Sequence, residues 1–166
     1  MAIGDPPNDI YHNGNFYNRN GMQVSGISDL VMVTSPAAVM TNGMTIFTAQ
    51  GDVTFHDLVS ECVTANGAGA TTIQYSITPT VGSATAISGV SASLANATAG
   101  TIVTVAGDAF ATAPIVSPTG VGLSQAARGI FFPDGQLKLV VATGPTTGTW
   151  KHYLRYSPAE PGAVVV

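Results

Sequence analysis

The run 71–78 (TTIQYSIT) alternates apolar and polar residues with period two, placing Ile73, Tyr75 and Ile77 on one face and Gln74, Ser76 and Thr78 on the other. This is the pattern of a half-buried antiparallel strand. The run 149–156 (TWKHYLRY) repeats it: Trp150, His152, Leu154 and Tyr156 share one face, and Lys151, Tyr153 and Arg155 share the other. A third run, 53–64, alternates imperfectly. It sets Val53, Phe55, Asp57, Val59, Glu61 and Val63 on one side against Thr54, His56, Leu58, Ser60 and Cys62 on the other. Shorter apolar runs at 29–34 (DLVMVT), 44–49 (MTIFTA), 100–107 (GTIVTVAG) and 136–143 (QLKLVVAT) read as further strands.

Turn signals separate these runs. Ser35-Pro36-Ala37-Ala38 breaks the first pair, with room for one helical turn. Phe132-Pro133-Asp134-Gly135 is a turn by mechanism, since proline presets φ and glycine accepts the positive φ that follows. Its flanks are expected to pair as a hairpin, and Gly144-Pro145-Thr146-Thr147-Gly148 is expected to close a second hairpin between 136–143 and 149–156. The stretch 81–98 is built from Ala, Ser, Thr and Gly, with Ile87, Val90 and Leu94 spaced as either one helical turn or a loop lying on a sheet. Residues 109–122 form a connection interrupted by proline. Strands recurring every eight to twelve residues predict an all-β fold, an antiparallel β-sandwich that a jelly-roll arrangement would satisfy.

The ends of the chain read differently. Residues 1–26 are rich in Asn, Gly, Pro and Asp and carry aromatics at no clean period, which predicts an extended N-terminal arm. Two tyrosines and a phenylalanine within seven positions (Tyr11, Phe16 and Tyr17) make that arm a candidate for ordering against another subunit, because aromatics bury much area at little entropic cost. Residues 27–157 are the expected sandwich body and 158–166 a short C-terminal tail.

Composition narrows the partners. The 166 residues include 5 basic and 9 acidic side chains, 8% charged, with a net charge of -4. An ordinary domain carries about 25%. So few cations cannot neutralise a phosphate backbone, which argues against nucleic acid. The stretch from Cys62 to Gly107 holds no charge, yet Thr, Ser, Asn and Gly interrupt it too often for a membrane span. The N-terminus has no basic start followed by an apolar run, so it does not read as a signal peptide and a cytoplasmic site of synthesis is expected. A single cysteine, Cys62, excludes an internal disulfide and a paired-cysteine zinc site.

The residues offer no catalytic constellation. His12, His56 and His152 stand without a nucleophile-elbow motif, and His152 reads as a packed or interface histidine. Asp52, His56 and Asp57 have a metal-like composition, but groups on one short strand alternate faces and cannot converge, so no metal or cofactor is expected. Asp52, Asp57, Glu61, Asp108 and Asp134 read as solvated turn acids rather than paired carboxylates, with Glu160 in the tail. Gly67-Ala68-Gly69 precedes a strand and so lacks the helix dipole of a phosphate loop. Cys62 reads as a small buried hydrophobe. Trp150 and Tyr153 join the arm aromatics as candidate partner contacts. A glycan-binding sandwich using Trp150, Tyr153 or Tyr156 is a further reading.

The C-terminal stretch LKLVVATGPTTGTWKHYLRYSPAEPGAVVV resembles virion proteins of tailed bacteriophages, namely capsid decoration (cement) proteins and related head-surface proteins. The features that carry the resemblance are the turn TGPTTGTW, the strand Trp150 to Tyr156 and the Pro-Gly ending. Residues 51–78 and 100–107 look similar. The resemblance implies a β-rich protein on the outer surface of the virion, forming homotrimers that clamp neighbouring copies of the major capsid protein. A head-fibre base or a tail component fits the same texture.

Overall fold

The computed structural model describes residues 10–12, 15–17, 30–105, 112–117 and 129–166, with backbone alone at 10–12, 15–17 and 117. The chain divides into an N-terminal unit, Met1–Leu30, and a larger one, Val31–Val166. In the first, β1 (Ile10–His12) pairs antiparallel with β2 (Asn15–Tyr17), setting Tyr11 opposite Phe16 and Ile10 opposite Tyr17.

The larger unit is an antiparallel β-sandwich with no helix among the described residues. Its strands are β3 (Val31–Thr34), β4 (Ala38–Val39), β5 (Thr45–Gln50), β6 (Val53–Cys62), β7 (Thr72–Pro79), β8 (Thr85–Ala86), β9 (Ile102–Thr104), β10 (Ile115–Ser117), β11 (Ile130–Phe132), β12 (Gly135–Ala142), β13 (Thr149–Pro158) and β14 (Val164–Val165). One sheet runs β10-β9-β6-β13-β3, with β11 also on β6 and β4 also on β13. The other runs β14-β5-β12-β7-β8.

The inner faces follow the alternation where it is strict. Ile73, Tyr75 and Ile77 of β7, Leu137, Leu139 and Val141 of β12, and Trp150, His152, Leu154 and Tyr156 of β13 are all buried between the sheets. β6 departs from the expected faces. Arg155 pairs with Asp57 but Tyr156 pairs with Phe55, so His56 is an extra residue, a β-bulge. The bulge shifts the phase by one: Val53 and Phe55 before it and Leu58, Ser60 and Cys62 after it all point into the core. Val59 and Glu61, which strict alternation groups with Val53 and Phe55, lie on the outer face instead. β5 carries a comparable shift opposite Leu137 and Lys138, and there the adjacent Ile46 and Phe47 are both buried.

Neither expected hairpin forms. β11 pairs with β6 and β12 with β5 and β7, so the turn at Pro133-Asp134 crosses from one sheet to the other. β12 and β13 likewise sit in opposite sheets, joined by an arch at 143–148 in which Thr143 (φ 65) and Gly144 (φ 95) take the left-handed conformation. The physical reason is burial on both sides of each turn. Phe132 and Leu137, and Val141 and Trp150, all need the same core, and an arch delivers such pairs to it from opposing sheets. Phe132 meets Phe55 edge-on, with centroids 6.4 Å apart and an interplanar angle of 84°.

Three other segments resolve. No helical turn forms at 35–38: the proline biases Ser35 to an extended backbone, and Ser35 continues the pairing, its N–H donating to His152 O at 2.9 Å while its Oγ accepts from His152 N–H at 3.0 Å. The stretch 81–98 lies along β7, first pairing with it through β8 and then continuing as a loop. Ile87 N–H and Ser91 N–H donate to Tyr75 O and Ile73 O, and Ser88 Oγ and Ser91 Oγ accept the N–H of Tyr75 and Ile73, each at 3.0 Å. Two serine side chains thereby stand in for ladder carbonyls. The tail is part of the sheet: β14 pairs with β5, Ala163 and Val165 are buried, and Val165 N–H donates to Tyr156 OH at 3.2 Å.

Gly135 makes the first crossing possible. At φ 155, a Cβ there would lie 2.5 Å from Thr78 O and 2.6 Å from Pro79 Cα. Gly135→Ala should therefore cost about 2 to 3 kcal/mol in urea denaturation. Gly43→Ala, at φ 78 but with nothing within 4 Å, should cost only about 1 kcal/mol.

Candidate functional site

The titratable residues fall into an interior group and an outer-face group. Inside, Ser60 Oγ lies 2.6 Å from His152 Nδ1 and 2.7 Å from Tyr75 OH. β6 and β13 bring Ser60 and His152 together as register partners in one sheet, and Tyr75 reaches them from β7 of the other. A serine beside a histidine suggests a nucleophile and its base, but all three side chains are fully buried, so no substrate reaches them. Burial pushes the imidazole of His152 down to about 4, leaving it neutral, and pushes the Tyr75 hydroxyl well above its ordinary range. Among the described residues, Nε2 of His152 has no hydrogen-bond partner. The arrangement is a polar tie between the sheets.

Asn66 is a second interior fastener. Its Oδ1 accepts from Gly148 N–H at 3.0 Å and from Trp150 Nε1–H at 3.2 Å, and its Nδ2 donates to Leu94 O at 3.0 Å. Trp150 is thus a core residue, with its polar atom used internally, and is not available as a partner contact on this chain's surface. Thr146 completes the arch: Met40 N–H donates to its Oγ1 at 2.9 Å. Cys62 is buried, its thiol within 3.1 Å of Thr64 O, and burial raises its pKa.

The outer face of β6 and β13 is the candidate binding surface. Tyr153, half-buried, donates its hydroxyl to Glu61 Oε2 at 2.7 Å, a bond that raises the phenol's pKa. Arg155 forms an ion pair with Asp57 from the directly opposite position. Both pairs cross between strands on one face, so long side chains that would otherwise sample many rotamers are held against the sheet. Lys151, Val59 and the exposed Met32 of β3 share this face. Chemically it can present a mosaic of apolar and paired polar groups to a macromolecular surface.

The remaining sequence candidates are dispersed. His56 Nε2 bonds Ser157 Oγ at 2.9 Å, Asp57 is held by Arg155, and Asp52 sits at the β5–β6 turn, where its Oδ1 accepts from Asp134 N–H at 3.2 Å. Glu160 Oε1 accepts from Asp52 N–H at 3.0 Å and Asp134 Oδ1 from Gly51 N–H at 3.4 Å. Asp52, Asp134 and Glu160 thereby clasp turns together, whereas Asp57 and Glu61, read as turn acids, lie within β6 and pair across the sheet with Arg155 and Tyr153. Among the described residues, no group of three His, Cys, Asp or Glu is placed to hold a metal. Asp108 and the side chains of Tyr11, His12, Phe16 and Tyr17 lie outside the described residues. Sequence reasoning missed the Ser60 tie and the role of Asn66. The strict alternation around His152 was the one signal that pointed to the tie. No family model, curated protein or solved structure matches this chain.

The tie makes stability depend on pH. An unfolded histidine takes up its proton as pH falls through 6.5, whereas His152 in the folded chain resists until about 4. The unfolded state therefore binds more protons in that window, and His152 removes about 3 kcal/mol of stability as pH falls from 6.5 to 4, with no loss above 6.5. Chemical denaturation across this range should show the loss in the wild type and a correspondingly flatter profile in His152→Leu. Ser60→Ala, which orphans the Tyr75 hydroxyl and Nδ1 together, should cost about 2 to 3 kcal/mol at pH 7.

Proposed function

We propose that this chain is a structural decoration protein of a bacteriophage capsid, one that binds the major capsid protein and further copies of itself on the outer surface of the head. The observation that carries the reading is the outer face of β6 and β13, where Tyr153–Glu61 and Arg155–Asp57 hold long side chains in place before any partner arrives. Ordering a rotamer-rich side chain on association costs about 0.5 to 1.5 kcal/mol, and pairing within the chain offsets that cost in advance. The resemblance of residues 137–166 to head-surface proteins points the same way, as does a chain in which 8% of residues are charged, since charges are depleted where surface is spent against protein neighbours. Several modest contacts on a repeating lattice gain strength through effective concentration, so no single contact needs to be tight.

In this reading Tyr11, Phe16 and Tyr17 of the N-terminal unit supply anchors to the capsid or to a neighbouring copy, adding aromatic area to main-chain pairing of the kind β1 and β2 make with each other. Purified protein should co-sediment with undecorated capsids and mark the head surface when labelled on intact particles. Absence of capsid affinity, or labelling confined to the tail, would overturn the assignment. Deleting residues 1–21 should leave the melting of the sandwich unchanged, because residues 31–166 form a unit of their own, while weakening capsid co-sedimentation about ten-fold or more. Equal binding by the truncated and full-length chains would remove the arm from the contact.

A further inference from the structure

We infer that β3 is an edge through which two copies of this chain pair, antiparallel and across a two-fold axis, into one continuous sheet. β3 ends the seven-stranded sheet: β13 pairs with one side of it, and no strand lies on the other among the described residues. An open edge is a row of main-chain donors and acceptors that templates pairing with another extended backbone, so the inferred occupant is a strand. Folded proteins usually guard such edges with a lysine, a proline, a bulge or a covering segment. The opposite case is visible in this same chain, where β8 and residues 87–91 lie along β7 and occupy its ladder positions. Val31–Thr34 has no charge, proline, glycine or bulge within it, and although Val33 packs partly against the core, Met32 is 69% and Val31 39% exposed.

The same features select a second copy as the occupant. In a continuous sheet, directly opposed residues share a face, so Met32, which lies beside Arg155 on the outer face, must meet an outer-face residue of the partner. Centring the two-fold on Met32 sets it against its own symmetry mate and each Val31 against a Val33, matching like apolar side chains on both faces. Among the described residues, Arg155, which lies opposite Met32, is already paired with Asp57 within the chain, so it does not oppose the approach of its own symmetry mate. A pairing this short buries far less than the roughly 1,200 Å² of a stable interface, so the association is weak and concentration-dependent. Because the contact is isologous, it closes as a dimer. It does not depend on the capsid assignment.

Sedimentation velocity over a concentration series, with wild type, M32K, M32E and an equimolar mixture of the two variants, tests the pairing. Met32 is exposed, so both variants should melt with the wild type, which separates pairing from folding. The wild type should self-associate, each variant alone should do so about five- to ten-fold more weakly because like charges oppose across the axis, and the mixture should recover association above either variant alone. A wild type without concentration-dependent association, variants that associate as well as the wild type, or a mixture no better than its components would each overturn the inference.

Discussion

One extra residue in β6 decides which side chains of the larger sheet are core and which are surface. β6 and β13 form the longest pairing among the described residues, and the bulge at His56 lets the two ends of β6 present opposite phases of the sequence to the same interior. Without it, Phe55 and Ser60 could not both face inward, because side chains alternate strictly along an unbroken strand. The outer pairs depend on the same shift, since it brings Asp57 opposite Arg155 and leaves Glu61 within reach of Tyr153. Core and outer face are thus two consequences of one local irregularity.

Around that pair the sandwich is held by arches whose fasteners are side chains. At the arch between β12 and β13, Asn66 accepts from Gly148 N–H and from the indole of Trp150 while Thr146 of the arch accepts from Met40 N–H, Asp52 and Asp134 fasten the crossing from β11 to β12, and Ser88 and Ser91 complete the ladder beside β7. Short polar side chains suit this work because they hydrogen-bond nearby backbone where no strand can reach. The abundance of Ser, Thr and Asn in the chain therefore has a structural use. In the interior the exception is the tie of Ser60, His152 and Tyr75, which crosses between sheets at the cost of keeping an imidazole neutral and one of its nitrogens unpaired.

A sandwich built this way suits passive attachment. Among the described residues, polar groups are largely engaged within the chain, the interior Ser–His contact is buried, and the exposed features are extended ones: an outer sheet face and the edge at β3. Extended surfaces engage other extended surfaces by area and main-chain pairing, and both grow when many copies are arrayed.

The sequence by itself determined the all-β class, most strand positions, and the inner faces of β7 and β13, because strict period-two alternation has only one solution once one face is buried. It also placed Cys62 and His152 among packed residues. Tertiary structure decided the rest. The turns after Phe132 and Thr143 carry ordinary turn residues whether their flanks pair as hairpins or cross as arches, and the choice rests on which sheet needs each strand. The bulge at His56 exists only relative to the register of β13, and the tail becomes a strand only because β5 offers it an edge. Trp150, legible as an aromatic on a regular strand, was assigned to the core by the opposing sheet and by Asn66, eighty-four positions away in the chain, a contact that no local pattern encodes.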